Sequence, residues 1–260
     1  MRKPKRSAAP SRRRGMVIAL DGPAGVGKST VGTLVAKRLG YRFINTGEMY
    51  RALTWKALQE GVSVGDARAL TRLAHKIQWE FKALEDRVVI RTFVDGRNVA
   101  NHIRDERVGR NSSKVAGVPG VRKLLRTMQR RLGKDGGIVM EGRDITTNVF
   151  PDADFKVYLD ASIEERASRR TKQLRQQGKA ADLKKIKEGI FQRDKQDSQR
   201  KINPLMQAKD AFVIDSTRLT LHQVADEILK LLRPRGPGRG AMPRDLGKGV
   251  VARCRRSPKR

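Results

Sequence analysis

Eight consecutive residues, Gly22-Pro-Ala-Gly-Val-Gly-Lys-Ser29, constrain the fold of this 260-residue chain more than any other feature. They fit the G-x-x-x-x-G-K-[ST] pattern at every fixed position. The flanks agree with it. Met16-Val-Ile-Ala-Leu-Asp21, just before the loop, is a short apolar run of the kind that forms a buried parallel strand. Thr30 to Leu39, just after it, has apolar residues at 31, 34, 35 and 39, which is helical spacing, and Gly40 follows as a C-cap. Glycines let the backbone wrap closely around phosphate oxygens, and the amides of a helix N-terminus supply a positive cradle. Gly22, Pro23, Ala24, Gly25, Val26, Gly27, Lys28, Ser29 and Thr30 are therefore expected to hold ATP or GTP. Lys28 would place its ammonium on the β- and γ-phosphates, and the Ser29 hydroxyl would ligate Mg²⁺.

Beyond the loop, strand and helix patterns alternate. Tyr41–Asn45 reads as a strand, and Gly47–Gln59 as a helix stopped by Gly61. Residues 77–100 change period: Ile77–Phe81 alternates, Arg87–Val94 is β-branched, and Asp95-Gly96 makes a turn, predicting a small antiparallel insert. Helical patterns cover 105–117 and resume at Pro119. Ile138–Met140, Phe155–Leu159 and Ala211–Ile214 read as further strands, and 162–176 and 182–200 as charged helices. Leu221, Val224, Ala225, Ile228, Leu229 and Leu232 form the apolar stripe of a closing helix. The expected architecture is α/β: a P-loop three-layer fold with a parallel central sheet, a small antiparallel β insert and a helical lid.

The chain carries 58 Lys and Arg against 27 Asp and Glu, a net charge of +31. Residues 1–14 contribute +7 and residues 233–260 contribute +9, leaving +15 on residues 15–232. Both tails are poor in large apolar residues and are expected to be disordered, with the folded domain spanning 15–232. They read either as plain solvated segments or as weak tethers to RNA or the ribosome. The single cysteine, Cys254, excludes a disulfide framework and a cysteine-based metal site. No apolar run reaches the roughly 20 residues that span a bilayer. A soluble, cytoplasmic monomer without membrane association is expected.

The loop does not name the reaction. An Asn-Lys-x-Asp guanine reader and a Leu-Ser-Gly-Gly-Gln signature are both absent. Asn45-Thr-Gly-Glu-Met-Tyr-Arg51 and Glu141-Gly-Arg-Asp144 each follow a strand, at the sheet edge where open α/β folds bind ligands. Arg143 can grip a phosphate with two bonds. Arg193, Asp197 and Arg200 share one helix face, as ligand contacts or as a surface salt-bridge ladder. The residues alone leave open an acceptor such as CMP, UMP or a non-nucleotide acid. They also leave open a nucleic-acid binder that uses the loop as a switch or scaffold.

Taken together the pieces resemble the bacterial cytidylate kinase family over about residues 16–232. The matching stretches are Ile18–Ser29, Thr46-Gly-Glu-Met-Tyr-Arg51, Gly142-Arg-Asp144, Phe150-Pro-Asp-Ala153, Phe155–Asp160, Glu165-Arg-Ala-Ser-Arg-Arg170, Arg193-Asp194 through Arg200, and Asp215-Ser-Thr217. The resemblance implies transfer of the ATP γ-phosphate to CMP or dCMP. It assigns the acceptor phosphate to Arg51 and Arg143, and cytosine to Ser113, Arg122 and Asp144 with Arg200 nearby. It assigns the ribose to Arg193 and Asp197, and the pocket wall to Thr46 and Tyr50. It implies a mobile lid over about 162–190, with Arg166, Arg169 and Arg170 clamping the ATP phosphates. The expected catalytic set is Lys28, Arg143, Arg166 and Arg170. Two departures stand out. Asn45 occupies a position where the family often has Asp, and Thr146-Thr147 replaces a common Gly-Thr, which points to a different turn near the acceptor.

Overall fold

A computed structural model describes residues 15–83 and 87–232. The expectations for the basic tails, 1–14 and 233–260, lie outside the described residues. The strands are β1 (Val17–Asp21), β2 (Arg42–Asn45), β3 (Trp79–Ala83), β4 (Val89–Val94), β5 (Arg97–Asn98), β6 (Ile138–Glu141), β7 (Phe155–Asp160) and β8 (Phe212–Asp215). The α-helices are α1 (Lys28–Leu39), α2 (Thr46–Gln59), α3 (Ala67–Lys76), α4 (Glu106–Ala116), α5 (Pro119–Gly133), α6 (Ile163–Gln176), α7 (Leu183–Ser198) and α8 (Leu221–Leu232).

Every residue of β1 is buried, because both faces of this strand are covered. Ile18 and Leu20 face a core built with Val31 and Val35 of α1 and Val224 and Ile228 of α8. Val17 and Ala19 point the opposite way, toward Ile44, Met140, Ile145 and Val149. That alternation makes the three layers: helices, sheet, helices. A third cluster, with Leu53, Leu70, Val115 and Leu125, binds α2, α3, α4 and α5 together.

The helix starts follow local chemistry. Asp66, Asp105, Ser162 and Asp182 each accept a backbone N–H from the first turn of their helix. Pro119 opens α5, where its missing N–H costs nothing. Gly40 ends α1 at φ 66°, the left-handed conformation that favours glycine.

The sheet runs β3-β4-β2-β6-β1-β7-β8, with β5 on the outer part of β4. From β4 to β8 all neighbours are parallel. The expected β insert is present, with β3 and β5 antiparallel to β4. It is not a separate sheet, however. Phe43 pairs with Val89 and Ile44 with Ile90 in parallel register, so the insert extends the central sheet. Arg91 of β4 also pairs with Glu48 of α2 at 3.0 Å, tying the insert to that helix. An element the sequence reading does not anticipate is α3, whose Leu70, Leu73 and Ala74 are buried at helical spacing. Among the described residues no helix is long and apolar enough to cross a membrane.

Candidate active site

β1, β2 and β6 are neighbours, and their C-terminal ends open into one cavity of about 580 Å³. Each strand delivers a different segment to it: the phosphate loop, Asn45–Arg51, and Glu141–Asp144. Of the expected residues, Gly25, Gly27, Lys28, Ser29, Thr30, Thr46, Tyr50, Arg51, Ser113, Arg122, Arg143, Asp144, Arg170, Arg193, Asp197 and Arg200 line this cavity. Gly22, Pro23, Ala24, Val26 and Arg166 do not.

The loop tolerates no side chain at its ends. A Cβ on Gly22 (φ 147°) would lie 2.0 Å from the Leu159 carbonyl oxygen, and one on Gly27 (φ 94°) would lie 2.4 Å from Leu221 Cδ2. Lys28 is buried and donates from Nζ to the carbonyls of Gly22 (2.8 Å) and Pro23 (2.6 Å). Burial, followed by the Arg143 charge, holds its ammonium well below the usual lysine range. Ser29 donates to Glu141 Oε1 at 2.6 Å, and Asn45 Nδ2 reaches Ser29 Oγ at 3.4 Å. Glu141 Oε2 has no hydrogen-bond partner. Burial pushes the Glu141 carboxyl up, opposed chiefly by Lys28.

At the other end, Arg122 pairs with Asp144, donates to the Ala116 carbonyl at 3.0 Å, and lies over the Tyr50 ring at 5.6 Å. Both ions are buried, and burial also raises the Tyr50 phenol. Arg200 sits close enough to feel Arg122 and Asp144, its guanidinium anchored on the carbonyls of Ile202 and Asn203. Thr46 spends its hydroxyl on the Glu141 carbonyl at 2.7 Å.

Between the two ends the cavity is crowded with cations. Arg143 donates from Nε to Asp197 at 2.9 Å. Arg51 donates to the Ile103 carbonyl at 3.0 Å, and burial and then Arg170 lower its affinity for a proton. Part of Arg193 meets solvent, but its Nε is enclosed and unpartnered. Burial, then Arg143 and Arg51, brings this guanidinium down to about 9. Mutually repelling guanidiniums withdrawn from water make a strongly positive cavity.

Arg166 corrects the sequence reading. It is buried against the phosphate loop and does not line the cavity. It donates to the carbonyls of Ala161 (3.0 Å) and Ala24 (2.9 Å) and pairs with Asp194. Asp194 also accepts the Ala24 N–H at 2.9 Å, so the pair clamps the loop's outer turn. Arg169 and Arg170, by contrast, line the cavity. Arg169 joins α6 to the Ser216 and Leu219 carbonyls, while the exposed Arg170 donates to Gln173 Oε1 at 2.7 Å. The sequence reading passes over Glu141 and Asp194. For Glu141 a signal exists: the apolar run Ile138-Val-Met140 ends in a carboxylate at the sheet edge beside the loop.

A sequence model of the cytidylate kinase family matches residues 18–234. The chain belongs to this family. It is 48% identical over 226 residues to a bifunctional pantoate ligase/cytidylate kinase of Synechococcus sp. (strain JA-3-3Ab), covering 86% of this chain but 42% of that protein. It is 45% identical over 223 residues to a cytidylate kinase of Geobacillus sp. (strain WCH70), covering 86% of this chain and 99% of that one. A cytidylate kinase of Ligilactobacillus salivarius is 44% identical over 218 residues, covering 84% of this chain and 96% of that one. The chain therefore spans less than half the length of the bifunctional relative and nearly all of the single-function ones. Within the cytidylate kinase family pattern, the departure at Thr146 coincides with a π-helical turn over Ile145–Val149. Thr146 donates from N (2.7 Å) and Oγ1 (2.6 Å) to Asp21, and Ile145 N donates to the same carboxylate at 3.0 Å.

Proposed function

We propose that this chain transfers the γ-phosphate of ATP to CMP or dCMP, giving ADP and CDP or dCDP. One observation carries the reading: a single cavity has the phosphate loop with Lys28 at one end and the Arg122–Asp144 pair against Tyr50 at the other, with Arg51, Arg143 and Arg193 between. Two nucleotides bound head to head would bring their phosphates together among these cations. Positioning and charge compensation are most of what phosphoryl transfer needs. A CMP phosphate oxygen attacks the γ-phosphorus directly, so no protein nucleophile is required. Asp144 accepts from the cytosine N4 amino group, while Ser113 and Arg122 donate to O2 and N3. Uracil presents O4 there instead, an acceptor facing a carboxylate.

The donor set fits Mg²⁺. Ser29 Oγ and the unpartnered Glu141 Oε2 lie together beside the loop, and Mg²⁺ takes few protein ligands when phosphates supply the rest. Among the described residues no cluster of three or more His, Cys, Asp or Glu could hold a metal by itself. When bound, the ion neutralises charge on the β- and γ-phosphate oxygens. Ser29 and Glu141 would hold it; Lys28 and Arg170 keep the phosphates in line, and the α6–α7 hairpin excludes water. Weak RNA binding, by charge alone, belongs to 1–14 and 233–260. Their removal lowers salt-dependent RNA binding and leaves CMP phosphorylation intact.

A panel of nucleoside monophosphates and small acids with Mg-ATP, scored by ADP release, tests the reading. CMP and dCMP should stimulate release most. Stimulation by another acceptor and not by these would refute it.

A further inference from the structure

Asp144 is held by more than its arginine. The π turn that follows it closes through Val149 N to Asp144 O (3.1 Å) and Phe150 N to Ile145 O (2.8 Å). Such turns concentrate at functional sites. This one brings residue 148 back toward Asp144. Asn148 Nδ2 donates to Asp144 Oδ2 at 3.0 Å, and Asn148 Oδ1 accepts from Arg126 Nη1 at 2.9 Å. Arg130 donates to the carbonyls of Asn148 and Val149, both at 2.8 Å. Arg122, Arg126 and Arg130 thus form one stripe along α5, four residues apart, that grips the turn from a single face.

The chemistry of residue 148 is specific. An amide offers a guanidinium its oxygen and a carboxylate its nitrogen at the same time. Here the ends are assigned by their partners, a cation on one side and an anion on the other. The chain of bonds from Arg126 through Asn148 to Asp144 polarises in one direction and strengthens each member. Both donors to Asp144, from Arg122 and Asn148, reach Oδ2. The carboxylate is therefore fixed in rotation and kept as an acceptor toward the cavity it lines. Asn148 itself does not line that cavity.

We infer that Asn148 is a positioning residue that orients Asp144 and thereby sets discrimination between cytosine and uracil at the acceptor site. The inference rests on the proposed CMP kinase reading and deepens it: specificity depends on a residue that touches no substrate.

The test compares full-length wild type, Asn148→Leu and Arg126→Ala in steady-state kinetics with ATP, CMP and UMP varied separately. For Asn148→Leu the KM for CMP should rise about tenfold, and the ratio of kcat/KM for CMP over UMP should fall by about the same factor, the scale of one hydrogen bond to a charged group. The KM for ATP should stay within about twofold, since the loop is untouched. Arg126→Ala, at a half-buried position, should move the same two quantities in the same direction by about threefold. A folded Asn148→Leu chain with wild-type CMP affinity and base ratio overturns the inference. So does a parallel rise of both KM values with an unchanged base ratio, which would mark a merely structural role. Should Asn148→Leu not fold, Arg126→Ala decides by the same readings. A wild-type chain that leaves CMP unphosphorylated overturns the activity itself, whereas an active wild type beside unaltered variants overturns only the role of Asn148.

Discussion

Ser29 donates its hydroxyl to Glu141 Oε1 at 2.6 Å, joining the end of the phosphate loop to the end of β6. The second oxygen of Glu141 has no partner, in a residue only 3% exposed. A buried carboxylate oxygen left unsatisfied costs stability unless something binds it in the working state.

Glu141→Gln keeps shape and the bond to Ser29 but removes the charge. The expected outcome is a loss of about 10–100-fold in kcat with a higher Mg²⁺ requirement, the usual cost of disturbing a metal's supporting groups. The KM for CMP should change little. Mg²⁺ titrations of initial rate at saturating ATP and CMP check this.

Much of the fold was legible because its signals are local. The phosphate loop, its flanking strand and helix, and the charged helices over 162–176 and 182–200 are read from short spacings. The fusion of the insert to the central sheet was not, since the Phe43–Val89 and Ile44–Ile90 register joins segments over 40 residues apart. Arg166 misleads for a related reason. Its neighbours Arg169 and Arg170 share its residue type and its helix, and only tertiary packing decides which guanidinium meets Ala24 and Asp194 and which meets the cavity. The π turn at Ile145–Val149 has no sequence period at all. It follows from three bonds to the buried Asp21 and from the α5 arginines.

Arg166 and Arg170 should therefore respond differently to mutation. Arg166→Met leaves Asp194 unpaired against the loop, which should cost about 3 kcal/mol of stability, the scale for breaking a buried pair. Its kinetic signature should be a raised KM for ATP. Arg170→Ala removes an exposed side chain, so stability should hold within about 0.5 kcal/mol while kcat falls. Urea unfolding with parallel ATP kinetics separates the two.

Arg193 gives the site a pH dependence whose sign is fixed. Its guanidinium is brought from the ordinary arginine range down to about 9 in the fold, so the folded state releases this proton before the unfolded chain does. Below about 9 the charge opposes folding; as pH rises through that value the opposition is relieved, and this group's contribution favours the fold increasingly up to the unfolded value. Anion binding runs the other way, because only the charged form attracts phosphate. Inorganic phosphate should raise the melting temperature clearly at neutral pH and much less above about 9, and the KM for CMP should climb over the same range. Arg193→Met should weaken both trends and leave the part that belongs to Lys28. Melting curves with and without phosphate across pH, alongside CMP kinetics, provide the check.

Thr146 is the final case, because its hydroxyl serves a carboxylate wholly removed from water. Asp21 is fully buried, and burial raises its carboxyl despite two donors from Thr146 and one from Ile145. The ionisable groups that interact with it electrostatically are Lys28, Glu141, Asp144 and Tyr158. Thr146→Val keeps the volume and the backbone bonds but deletes the 2.6 Å hydroxyl bond. The ionised carboxylate then loses one of three donors, costing about 1–3 kcal/mol. The neutral acid needs that donor less, so the loss should be larger at about pH 8 than at about pH 5. Thr146→Ser retains the hydroxyl and should restore most of the stability at both pH values. Equal losses for valine and serine would assign the effect to packing of the methyl group and not to the bond with Asp21.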